Sequence, residues 1–91
     1  MEDIEKIYNN YSKIVYKYLF CLTHDYHSSE ELTQETFYIA IKNISKFENR
    51  CKVHVWLCQI AKNLWNKELN KRKKFVIIVE YITKKIRKKL E

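Results

Sequence analysis

Neither glycine nor proline occurs anywhere in these 91 residues. Without glycine the chain has no cost-free residue for left-handed turns and no loop able to cradle a nucleotide phosphate. Without either residue, tight β-hairpins lose their usual turn chemistry, and long helices meet no built-in breaker. An all-α fold follows, with turns left to the polar clusters at residues 23–29 and 46–52. No apolar run approaches the ~18 residues that a membrane span requires. Cysteine is sparse and odd in number, at Cys21, Cys51 and Cys58. With no signal-peptide pattern at the start, these read as reduced thiols of a cytoplasmic protein.

Acidic residues are short in one half only. Residues 1–48 hold five Lys/Arg against eight Asp/Glu, a net of −3, whereas residues 49–91 hold thirteen against three, a net of +10. That polarity suggests a polyanion on one side and a basic protein partner on the other.

Hydrophobic spacing then places the helices. Ile4, Ile7, Tyr8, Tyr11, Ile14, Val15, Tyr18, Leu19 and Leu22 recur at steps of three and four, predicting a first helix over about residues 3–22. Ser28 and Glu31 have capping-box spacing, so a second helix is expected from about Ser29 to Lys46, with Leu32, Phe37, Ala40, Ile44 and Phe47 inward. A third begins near Val53 and can reach Lys74. It sets Val53, Trp56, Leu57, Ile60, Ala61, Leu64 and Trp65 among lysines and asparagines that end in a basic run. Phe75, Ile78, Val79, Ile82, Ile86 and Leu90 continue a helical stripe; residues 76–79 are β-branched and also suit a strand, but a helix is the expectation for this segment. One small domain over 1–74, a bundle of three main helices, plus a C-terminal amphipathic basic segment at 75–91, is the architecture expected.

Chemistry-bearing clusters are few. Cys21, His24 and His27 sit at C-x-x-H-x-x-H spacing, and Cys51, His54 and Cys58 form a second group. Neither repeats a zinc-module spacing, and a cysteine near a helix end packs as a small hydrophobe, so no metal is expected. Glu30, Glu31 and Glu35 read as charged helix surface. A Cys58–His54 pair lacks the third group that a nucleophilic site needs. No enzymatic role, cofactor or small-molecule substrate is expected. Trp65 reads as core. Trp56, at a helix start beside a polar loop, can offer an indole face to an unstacked base. A basic amphipathic tail at 75–91 also admits a role on an anionic membrane.

Three blocks in order carry a family resemblance: "EELTQETFYIAI" at 30–41, "ISKFE" at 44–48 and "VWLCQIAKNL" at 55–64, preceded by "IYNNYSKIVYKYL" at 7–19 and followed by basic residues. Together they resemble region 2 of the extracytoplasmic-function sigma factors of bacterial RNA polymerase. The resemblance implies that the second helix binds the clamp helices of the largest polymerase subunit through Glu31, Leu32, Gln34 and Glu35. It also implies a loop pocket at Phe47, Glu48, Asn49, Arg50, Cys51 and Lys52 for a base flipped from the non-template strand of the promoter −10 element. His54, Trp56, Gln59, Lys62, Asn63, Asn66 and Lys67 are then expected to supply melting and backbone contacts. An anti-sigma factor is a further expected partner. Family members continue into region 4, a helix-turn-helix domain reading the −35 element, and these 91 residues stop short of one. The alternative is a general nucleic-acid-binding helical protein without a polymerase partner.

Overall fold

The computed structural model describes residues 4–47 and 50–90, and among them every regular element is helical. Helix α1 spans Ile4–Thr23, α2 spans Tyr26–Asn43, a 3-10 turn covers Ile44–Lys46, and α3 runs Val53–Leu90. The three helices pack mutually around one core. Ile7, Val15 and Leu19 come from α1, Leu32, Phe37 and Ala40 from α2, and Leu57, Ala61, Leu64 and Trp65 from α3. Trp65 is thus a core residue, as its spacing indicated. Tyr8 of α1 closes over Phe37 edge to face, with ring centroids 5.0 Å apart.

The α1–α2 connection is only two residues long, and a polar network fixes it. His24 adopts φ 55°, the left-handed geometry that a glycine would normally supply to end a helix. Asp25 caps α2: its Oδ2 accepts hydrogen bonds from the Ser28 N–H at 2.9 Å and the Ser28 hydroxyl at 2.5 Å. The helix therefore starts three residues earlier than the Ser28/Glu31 spacing suggested. A carboxylate already satisfies the free N–H there, and Glu31 instead meets His27 Nε2 at 3.0 Å.

Three polar residues of α2 lie in the core where the apolar pattern gave no warning: Ser29, Thr33 and Thr36. Each hydroxyl donates back to a main-chain carbonyl four residues earlier, to Asp25, Ser29 and Leu32 respectively, all at 2.7 Å. Their hydrogen-bonding need is met within the helix, so burial costs little. With Ala40 they make a narrow strip at helical spacing that lets neighbouring helices approach α2 closely.

The larger departure is at the C-terminus. No break separates the expected third helix from the segment after Lys74. Both form one helix of 38 residues, which accounts for the elongated 65 × 25 × 17 Å extent. Every residue from 70 to 90 is exposed. The stripe of Phe75, Val79, Ile82 and Ile86 does not fold back onto the bundle.

Three outcomes follow from this packing. Leu57→Ala, at a fully buried position, should cost about 2–5 kcal/mol of unfolding free energy in urea titrations, whereas a chain ending at Lys74 should melt at an unchanged temperature. Asp25→Ala should lower Tm at neutral pH. Hydrogen bonds from the Ser28 side chain and then its N–H hold the Asp25 carboxyl below its ordinary 3.8. Its stabilising contribution is therefore complete above that value and lost as pH falls through the lower folded value. The Tm gap between wild type and Asp25→Ala should close on acidification over that range.

Candidate nucleic-acid interface

Leu57, Ala61, Leu64 and Trp65 turn one side of α3 into the core. At ~100° per residue, the positions opposite them are Gln59, Asn63, Asn66 and Asn70, flanked by Lys62, Lys67, Lys73 and Lys74. All eight are exposed. The sequence thus places a continuous amide-and-lysine stripe along the solvent side of α3. Amides can donate to and accept from base edges, and lysines can neutralise phosphates.

The loop that leads into α3 meets the head of this stripe. Lys52 O accepts the backbone N–H groups of Val55 and Trp56, each at 3.1 Å, and so starts the helix. After the 3-10 turn, the Phe47 N–H bonds Ile44 O at 3.2 Å, which directs the Phe47 ring back to α3. There it lies against Trp56 with centroids 4.7 Å apart and planes 30° apart. Both residues are half-buried, and Trp56 packs against the rim of the core rather than inside it. Of the remaining expected loop residues, Arg50 and Lys52 are exposed and Cys51 is half-buried, while Glu48 and Asn49 lie outside the described residues.

Two expected contact residues are placed differently from the rest. His54 sits ~200° around α3 from Trp56, and its ring lies 6.3 Å from that of Tyr11 in α1. It faces the bundle, away from the stripe. Leu32 is 8% exposed and belongs to the core, so it seats α2 and offers little side chain to a partner. Its companions Glu31, Gln34 and Glu35 are exposed on the outward face of α2. Tyr38 joins them there, 58% exposed, with the Lys42 ammonium 4.9 Å from its ring centroid. Tyr38 follows Glu31, Gln34 and Glu35 at helical spacing, on the face that the apolar pattern of α2 leaves over.

Arg72, in the basic run that follows Asn70, is held on the bundle side: its guanidinium lies 5.1 Å over the Trp65 ring and its Nε lies 3.2 Å from Glu68 Oε1. Among the described residues no group of three or more His, Cys, Asp or Glu is placed to hold a metal ion. Burial alone pushes the Cys58 thiol above its ordinary value, which removes thiolate rather than activating it.

The model of sigma-70 region 2 matches residues 7–75, three-quarters of the chain. The chain belongs to the sigma-70 region 2 family. Sigma factors are transcription regulators, and the alternative of a general nucleic-acid-binding protein outside this family is not favoured. Among curated proteins, this sigma-70 region 2 chain is 40% identical over 75 residues to the ECF RNA polymerase sigma factor SigM of Bacillus subtilis, covering 82% of the chain and 45% of that protein. It is 32% identical over 60 residues to the RNA polymerase sigma factor YlaC of the same organism, covering 66% of the chain and 35% of YlaC. The chain therefore spans less than half the length of the curated relatives it matches. No solved structure gives a significant match. Among the described residues no helix is long and apolar enough to cross a membrane.

Alkylation tests the thiol assignments. Iodoacetamide at mildly alkaline pH should modify the exposed Cys21 first and Cys58 last, read by peptide mass spectrometry, with Cys58 becoming reactive on urea unfolding.

Proposed function

We propose that this sigma-70 region 2 chain binds core RNA polymerase through the outward face of α2 and captures the melted non-template strand of the promoter −10 element along α3. The observation that carries the reading is the meeting of two features at one place. The Phe47–Trp56 aromatic pair stands at the head of a stripe of Gln59, Lys62, Asn63, Asn66 and Lys67 that faces away from the core. The names of the relatives, both RNA polymerase sigma factors, support the partner.

The chemistry needs no catalyst. Base pairs at an A·T-rich promoter segment open transiently, and a protein that binds only the open strand shifts that equilibrium by its differential affinity. A flipped base enters the 47–52 loop, where Arg50, Cys51 and Lys52 can contact its edge. The outer side of the Phe47–Trp56 pair extends the base stack, since any base has a face to offer an aromatic ring. Lys62 and Lys67 hold the backbone and so set the register, while the asparagines lie within reach of base edges. His54 supports this surface from behind, through its packing on Tyr11.

On α2, Glu31, Gln34, Glu35 and Tyr38 make an acidic patch carrying one aromatic ring, suited to a basic helical surface such as the clamp helices of the largest subunit. Leu32 fixes the rotation that presents them. The sharp separation of acidic α2 from basic α3 keeps the DNA-binding surface clear of the polymerase-binding one. An anti-sigma factor would inhibit by covering either patch.

Affinity measurements separate these assignments. Trp56→Ala should weaken binding of single-stranded −10 oligonucleotides by about 1–3 kcal/mol with helix content unchanged by circular dichroism. Lys62→Gln with Lys67→Gln should flatten the log–log salt dependence by about 1.4, that is about 0.7 for each phosphate no longer neutralised. Glu35→Lys should abolish pull-down of core polymerase while leaving oligonucleotide affinity intact or raised. Unchanged oligonucleotide binding by Trp56→Ala across all sequences would refute the stacking role.

A further inference from the structure

The overhanging part of α3 has two properties that the promoter reading leaves unused. Between residues 70 and 90 there are nine Lys/Arg and only one acidic residue, Glu80. Over the same length, large apolar side chains stand in solvent: Phe75 is 67% exposed, Ile77 65%, Ile78 55% and Ile86 54%. The aligned members Phe75, Val79, Ile82 and Ile86 make one face at steps of four, three and four. Lys73, Lys84, Arg87 and Lys88 lie on the opposite side.

Charge and shape discriminate among occupants. A second copy of this helix would bring two densely cationic rods together, with a single glutamate on each to offset the repulsion. Nucleic acid would neutralise the lysines but leave the aliphatic face in water, because a phosphate backbone gives it no apolar partner. An acidic protein groove could match the charge, but it would cover one side of the helix only, and the segment from Phe75 to Ile78 is apolar in every direction. A bilayer interface can take both features. An in-plane helix sinks ~5–10 Å into the headgroup and acyl boundary, comparable to the ~10–12 Å diameter of a helix with its side chains. At that depth the apolar middle is covered below and along both flanks, while the lysine clusters before and after it extend their ammonium groups to anionic headgroups.

We propose that residues 71–90 form an in-plane docking helix for an anionic lipid surface, with Phe75, Val79, Ile82 and Ile86 inserted and the flanking lysines and arginines at the headgroups. The proposed polymerase contacts lie on α2 and the strand contacts at residues 59–67 of α3; Lys73 and Lys74 continue that basic stripe into the docking helix, but Ile82, Lys84, Lys85, Ile86 and Lys88 lie beyond it, so substitutions there test the lipid site independently.

Density-gradient flotation of the full chain with vesicles decides the matter. Wild type should float with phosphatidylcholine vesicles containing phosphatidylglycerol and stay at the bottom with phosphatidylcholine alone. Ile82→Asp with Ile86→Asp should lose flotation while keeping the wild-type Tm, because neither side chain packs on the bundle. Lys84→Gln with Lys85→Gln and Lys88→Gln should weaken it and reduce its salt sensitivity. Absence of flotation by wild type would overturn the proposal. Equal flotation of wild type and the Ile82→Asp/Ile86→Asp variant would also overturn it, reducing the segment to a general polyanion binder. So would a concentration-dependent doubling of mass in sedimentation equilibrium that those substitutions abolish, which would assign the apolar face to a second copy.

Discussion

The rotation of α3 about its own axis is the constraint on which the remaining arrangement depends. Leu57, Ala61, Leu64 and Trp65 occupy one side of the helix and are drawn into the core with Leu19, Val15, Phe37 and Ala40. Because these contacts are apolar and close-packed, a turn of even one residue would expose a leucine or tryptophan and bury an amide or lysine. With the rotation set, Gln59, Lys62, Asn63, Asn66 and Lys67 have only solvent to face. The same constraint points His54 toward Tyr11 and brings Trp56 beside the incoming loop.

The polar strip on α2 makes this packing possible at short range. Larger residues at Ser29, Thr33 and Thr36 would hold the helices apart, and unsatisfied hydroxyls there would be costly. Bonding each hydroxyl to its own helix backbone removes that cost. The opposite side of α2 is then free to carry Glu31, Gln34, Glu35 and Tyr38. One short helix thereby seats the bundle and displays an acidic patch, and the proposed division between polymerase and DNA surfaces follows from the two sides of its cylinder.

Much of this was legible in the chain. The absence of glycine and proline excluded hairpins and left nothing to interrupt α3, and three-four spacing located the helices. The motifs at 30–41, 44–48 and 55–64 indicated the family that the match over residues 7–75 shows. The misjudged details share a cause: local pattern cannot say which of two competing local solutions wins. Ser28 with Glu31 resembled a cap, but Asp25 was better placed once His24 had taken a left-handed turn. Hydrophobic periodicity also passed over Ser29, Thr33 and Thr36, because a hydroxyl that satisfies itself within its helix looks polar in sequence and behaves as small and apolar in a core.

What the sequence determined alone was the helical class, the charge polarity, the core role of Trp65 and the grouping of amides and lysines, since each depends on composition or on a period along a single helix. Only the tertiary structure decided that His54 and Leu32 turn inward, that Phe47 covers one side of Trp56, and that residues 70–90 stand clear of the bundle. Each of these depends on what a neighbouring helix or loop occupies across the gap, and spacing along one helix carries no information about its neighbours.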